Sequence, residues 1–358
     1  MSYKSRAYLK FALCAILLLL LVPDMWRRSG TADEEEGDDE SFRGKDIRCA
    51  VTLGSGLKES YQFGLSYELI TSFASDHQCN VKISTLSDRT DFVDSLKEGV
   101  FDIVVIREKI DTGDFSGMGI SVGFDDTHRW LINSGKDTRL KEINHWLSTT
   151  AKTSEDYESL VKLFSSAYNP HKKASAGFHS KVLSPYDSII KKYAKEIGWD
   201  WRMLTALIYA ESKFTINNES KRGAIGLMQV MPRTGKKYGA TNLMDPEQNI
   251  RVGVQFLQRL ERQFSQMEMS PDQRIKFTLA AYNAGEGRIA QCRAHAASKG
   301  GDATNWESVV SYLPFDGFDG RETTAYVRSV TSLYNAFCTI CPDTSNSRAV
   351  SVQDQPSK

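Results

Sequence analysis

The stretch "WDWRMLTALIYAESKF", residues 199–214, decides how the chain is read. Its apolar residues Trp201, Leu204, Leu207 and Ile208 fall at helical spacing. Glu211 comes three residues after Ile208 and four after Leu207, so a helix carries it onto or beside the face it buries. A buried carboxylate is costly unless it is paired, or unless it stays protonated with a raised pKa. The protonated state is the one a general acid needs. A partly buried glutamate that caps a helix or bridges to an arginine fits the same stretch, so the rest of the chain has to separate the two.

Helical periodicity continues on both sides, from Pro185 to about Phe337. "YDSIIKKYAKEIG" reads as a helix closed by Gly198, and "NIRVGVQFLQRLERQF" carries apolar residues at Ile250, Val254 and Leu257. "DQRIKFTLAAYNAG" and "ETTAYVRSVTSLYNAF" complete an all-α domain over 185–340. Before it, residues 169–184 mix Pro, Gly, Ser and Lys without period and read as a linker. Residues 46–168 alternate strands with helices: "IRCAVTL", "GLSYELITSFASDH", "NVKIST", "RTDFVDSLKEG" and "VFDIVVI", then "MGISVGF" and two closing helices. That alternation predicts an α/β domain with a parallel sheet. The tail, 341–358, is polar and reads as disordered.

The N-terminus has a different character. Lys4, Arg6 and Lys10 precede the apolar run "FALCAILLLLLV" of 12 residues, and no small-residue cleavage site follows. Residues 1–26 therefore read as a signal anchor or a signal peptide. Phe11 and Leu13 do not make a lipidation site of Cys14. The acidic tract "TADEEEGDDESFRGK" makes 27–45 a solvated, disordered spacer. The whole chain has 358 residues, 41% hydrophobic, with 45 basic and 45 acidic side chains. It is long enough for two cores, and the balanced charge gives no footprint for nucleic acid. Of the five cysteines beyond the anchor, Cys49 and Cys79 could join two strands. Cys338 and Cys341 form a CxxC without the further ligands that zinc requires.

After Glu211 come Ser220, "RGAIGLMQVMP" (222–232), "AAYNAG" (280–285) and Tyr326–Val327. In order and spacing these motifs resemble the lytic transglycosylase domain of the soluble lytic transglycosylase type, which implies a lysozyme-like fold. "WDWRMLTALIYAESKF" and "GRIAQCRAHAASKGGDATNWESVVSYLP" are similar to the membrane-bound lytic murein transglycosylase F subfamily. In that subfamily a periplasmic solute-binding-protein-like domain precedes the catalytic one. Here only about 120 residues stand where two lobes need twice that, so a single lobe is expected. Thr215 and Ile216 replace the Asn-Pro usual after the family's Glu-Ser.

The resemblance implies that Glu211 is the catalytic acid, cleaving between N-acetylmuramic acid and N-acetylglucosamine without water to leave 1,6-anhydromuramic acid. It implies that Ser220 bonds the N-acetyl or peptide-bearing region, and that Met228 and Gln229 line the saccharide cleft. Tyr282 and Asn283 would orient Glu211 and the N-acetyl group, and Tyr326 would close the site. No metal or cofactor is implied. The partners implied are peptidoglycan strands, a membrane through the N-terminal segment, and a muropeptide or a protein at the α/β lobe, on the periplasmic side of the cell envelope. Glycosidases ordinarily use two carboxylates. Near Glu211 the sequence offers only Glu219 and Glu286, both read as surface charges. A goose-type lysozyme-like hydrolase and a catalytically silent peptidoglycan-binding protein are the alternative readings.

Overall fold

The computed structural model describes residues 41–342, except 53–56, 87–91, 108–114, 125–127, 134–136, 152–156 and 160–167. The N-terminal anchor, most of the acidic spacer, most of the polar tail and most of the second closing helix expected near 154–168 lie outside the described residues. From Phe42 onward the described residues belong to one compact unit. Among them no helix is long and apolar enough to cross a membrane.

Strand β1 (Asp46–Thr52) leads to helix α1 (Leu57–Asp76), β2 (Asn80–Leu86), α2 (Phe92–Lys97) and β3 (Ile103–Arg107). These are followed by β4 (Met118–Ile120), β5 (His128–Asn133) and α3 (Asp137–Thr149). The sheet runs β2-β1-β3-β5-β4. β1 pairs in parallel with β2 and β3, as the alternation of strands and helices predicts. The expectation of a wholly parallel sheet is corrected at the other edge, where β5 runs antiparallel to both β3 and β4. "MGISVGF" supplies only the three-residue β4, and its partner "HRWLIN" carries much of the burial.

Side chains alternate across this sheet. Ala50, Val104, Ile106 and Leu131 face α2 in a small core. Cys49, Val51, Ile103, Val105 and Trp130 face the opposite way, toward α1, in a core that runs on without interruption into the helices that follow. The residues read as a linker take part in it. Asn169 caps the short helix α4 (Pro170–Ser175), accepting from the Lys172 N–H, with Pro170 in its first turn. Leu183 and Ser184 are buried, and Asp187 accepts from both of their N–H groups and from the Ser184 hydroxyl. Six residues are too few to show a period, so the cap signals were the legible ones. The spacer likewise ends before residue 45, because Phe42 is fully buried, edge-on to Phe73.

The cysteine bridge considered between the strands is also corrected. Asn80 stands opposite Asp46, so Cys79 sits beyond one end of the β1–β2 pair, while Cys49 lies mid-strand opposite Ile83. Among the described residues neither is in a disulfide, nor are Cys292 and Cys341.

The remaining helices are α5 (Asp187–Ile197), α6 (Trp201–Ser212), α7 (Pro232–Lys237), α8 (Pro246–Ser265) and α9 (Pro271–Ala284), then α10 (Glu286–Ser298), α11 (Trp306–Ser311) and α12 (Arg321–Ile340). Helix α6 is the central one, with Met203 to Ile208 all buried. It lies antiparallel to α12, tied at one end where Arg202 donates to the Cys341 carbonyl and Tyr334 to Asp200. Near its other end it carries Glu211.

Candidate active site

Helix α6 stops abruptly after Ser212. Lys213 and Phe214 both take left-handed backbone, at φ 52° and 64°, a conformation that costs a non-glycine residue about 1–2 kcal/mol. Phe214 is fully buried among Tyr168 and Tyr209, and that burial holds the turn. The chain then enters the loop 215–231 with Glu211 held at the helix end.

The hydroxyl of Tyr326, in the second turn of α12, donates to Glu211 Oε1 at 2.5 Å. Burial raises the Glu211 carboxyl to about 7, against the lowering effect of the Tyr326 bond. Both neighbouring tyrosines are pushed well above their ordinary range, first by burial and then by the Glu211 charge. They therefore act as neutral hydroxyl donors at any working pH. Tyr282, on α9, donates to the Met228 carbonyl at 2.6 Å. Asn283, the next residue, accepts from the Thr323 hydroxyl at 2.9 Å.

The loop is organised around buried Asn249 of α8, which is 1% exposed. Its Oδ1 accepts from the Met228 N–H, and its Nδ2 donates to the Ile225 and Leu243 carbonyls. Gly226 (φ 78°) must be glycine here, since a Cβ would lie 2.4 Å from Asn249 Nδ2. The Gln229 side chain donates to the Asn218 and Gly226 carbonyls and so ties the loop to itself. Ser220 accepts from the Ala224 N–H through its side chain.

Glu211, Tyr282 and Tyr326 are thus brought together, with Asn283 beside Tyr282. Met228 corrects the expectation of a cleft-lining side chain. Its thioether is fully buried, packed where a Cβ on Gly253 would lie 2.4 Å from Sδ, and its carbonyl is the group that meets Tyr282. Gln229 serves the loop backbone rather than standing free. Two further residues were not read from the sequence. Thr323 lies one helical turn before Tyr326 on the same face, and Asn249 is a polar residue on the apolar face of α8, a pattern that could have flagged it.

No second carboxylate contributes to the Glu211 shift among the described residues. Glu219 is exposed. Glu286 is paired with Arg259 at 2.6 Å, which holds its carboxyl below the usual range. Among the described residues no group of three or more His, Cys, Asp or Glu side chains gathers as metal ligands would.

Residues 188–305 match the family model described as Transglycosylase SLT domain. Over 227 residues the chain is 30% identical to the membrane-bound lytic murein transglycosylase F of Desulfosudis oleivorans, covering 58% of this chain and 48% of that protein. The protein of that name from Stutzerimonas stutzeri is 31% identical over 245 residues, or 64% of this chain and 49% of the other. The chain spans about half the length of these curated relatives. Among solved structures, the 70 kDa soluble lytic transglycosylase from Escherichia coli aligns at 24% identity and a TM-score of 0.37, over 58% of this chain and 36% of that one. The resemblance drawn from the motifs is met in the helical part, where residues 188–305 match that family model.

Proposed function

We propose that the chain is a peptidoglycan lytic transglycosylase, a carbon–oxygen lyase in which Glu211 acts first as acid and then as base. One observation carries this reading: a carboxyl raised to about 7 by burial, held by a tyrosine hydroxyl, with no second carboxylate among the described residues acting on it. A hydrolase of the usual two-carboxylate kind would want a partner placed to activate water.

In the reaction, protonated Glu211 gives its proton to the oxygen between N-acetylmuramic acid and N-acetylglucosamine, and the bond from that oxygen to C1 breaks. The sugar's own acetamido oxygen meets the positive charge that grows at C1. The Glu211 carboxylate then takes the proton of the C6 hydroxyl as O6 bonds to C1. The acid is regenerated, no water is consumed, and the product is a 1,6-anhydromuramic end. Tyr326 orients Glu211, and Tyr282 fixes the Met228 carbonyl and with it the loop carrying Ser220, which donates to the substrate. Asn283 offers its amide to the saccharide. A helical domain of lysozyme-like fold suits this use.

In the same reading residues 46–168 are a single lobe of binding-protein-like ancestry that serves a muropeptide or a protein partner. The N-terminal segment holds the enzyme to a membrane on the periplasmic side.

The test is mass spectrometry of peptidoglycan sacculi digested with the chain and with Glu211→Gln. Anhydro-muropeptides from wild type alone support the proposal. Reducing ends heavier by one water make it a hydrolase. Binding without products from either makes it a silent wall-binding protein.

A further inference from the structure

We infer that Thr323 is a positioning residue that fixes the Asn283 amide as a hydrogen-bond donor toward the saccharide, an inference that rests on the function proposed above. Thr323 is 2% exposed, so its hydroxyl proton has no water to turn to. Among the described residues its side chain bonds Asn283 Oδ1, at 2.9 Å. A buried hydroxyl must place its proton on an acceptor, and the amide oxygen is the acceptor in reach. The amide is thereby oriented: oxygen inward on Thr323, and the two N–H donors of Nδ2 turned away from it. No partner for Nδ2 is found among the described residues, and Asn283 is only half-buried.

The placement couples this pair to the acid. Thr323 and Tyr326 stand at i and i+3 on α12, a spacing that puts both on one helix face. Tyr326 reaches Glu211 and Thr323 reaches Asn283 from that face. Asn283 follows Tyr282, whose hydroxyl feels the Glu211 charge. One face of α12 therefore holds both the acid, through Tyr326, and the Asn283 amide, through Thr323. The group that Asn283 recognises must be an acceptor, such as a hydroxyl, ether or acetamido oxygen of the glycan, and not an N–H.

The experiment compares wild type, Thr323→Val, Thr323→Ser, Asn283→Asp and the Thr323→Val/Asn283→Asp double variant on soluble glycan strands. Valine keeps the shape and frees the amide to turn, so KM should rise about tenfold with kcat little changed and the melting temperature nearly held. Serine should restore KM. In the Asn283→Asp background, which has no N–H to aim, Thr323→Val should add nothing. Equal losses in both backgrounds, or failure of serine to rescue, would overturn the inference. An independent readout is the side-chain amide resonance of Asn283, assigned by its absence in Asn283→Asp. A strong cross-peak from its N–H protons to the Thr323 methyl would mean a reversed amide and sink the inference; its absence from wild type would support it. Should wild type release no anhydro products, the proposed function falls, while the resonance still decides how the amide is held.

Discussion

Tyr326 donates to Glu211 Oε1 across the α6–α12 pair, and through that bond one helix sets the protonation of an acid carried by the other. The bond favours the ionised carboxylate and opposes burial, which favours the neutral acid.

Removing the hydroxyl should therefore raise the Glu211 pKa further above its value of about 7. In Tyr326→Phe the alkaline limb of the kcat/KM profile moves to higher pH, while the plateau rate falls about tenfold as the carboxyl loses its orientation. A pH profile from about 5 to 9 on soluble glycan strands reads both effects. A limb that moves to lower pH would contradict the account.

Burying this carboxyl also costs stability, with a definite sign. The folded pKa of about 7 lies above the ordinary 4.5, so between those values the folded state holds the extra proton. Stability then falls as pH rises through that window, by about 3 kcal/mol in all. Glu211→Gln removes the titrating group and keeps an oxygen for Tyr326. Its melting temperature should exceed that of wild type above pH 7 and converge with it near pH 4.5. Melting curves at the two ends of that window check it, and parallel curves would refute it.

Asn249→Ala should be among the costliest substitutions that leave Glu211 untouched. It leaves the Met228 N–H and the Ile225 and Leu243 carbonyls without their partner. The loss should be about 3 kcal/mol by equilibrium unfolding. Faster amide exchange across 218–230 should accompany it. Exchange unchanged in that loop would show that Asn249 does not hold it.

The contact between α1 and the start of α5 should be equally intolerant. A Cβ on Gly64 would lie 2.4 Å from Pro185 Cβ, beside the Tyr67–Tyr186 ring pair at 6.1 Å. Gly64→Val should destabilise by about 1–3 kcal/mol. Because the core runs from sheet to helices, wild type should melt in one transition. Two transitions in wild type would mean that the halves fold apart.

Helices α5, α6, α8, α9 and α12 were legible because their apolar residues repeat with the helical period over three turns or more. The parallel strands were legible for the same kind of reason. β5 was not, being a short apolar run whose pairing is set by β3 and β4 and not by its own pattern. Glu211 stood out as a polar group at an apolar helix face, whereas Tyr282 and Tyr326 were reached through the motifs that carry the family resemblance. Thr323 acquires meaning only through its partner 40 residues away, and Asn249, a polar residue on an apolar helix face, shows what it holds only through Met228, 21 residues away. Met228 was misjudged because a buried side chain and a presented carbonyl can belong to one residue.

That last arrangement bears on oxidative damage. Peroxide turns an accessible thioether into a bulkier, polar sulfoxide. Met231, 45% exposed on the same loop, offers its sulfur to solvent and can take the oxygen into water. Met228, sealed against Gly253, has neither access for the oxidant nor room for the product. The outer methionine can thus be scarred while the carbonyl that meets Tyr282 keeps its place.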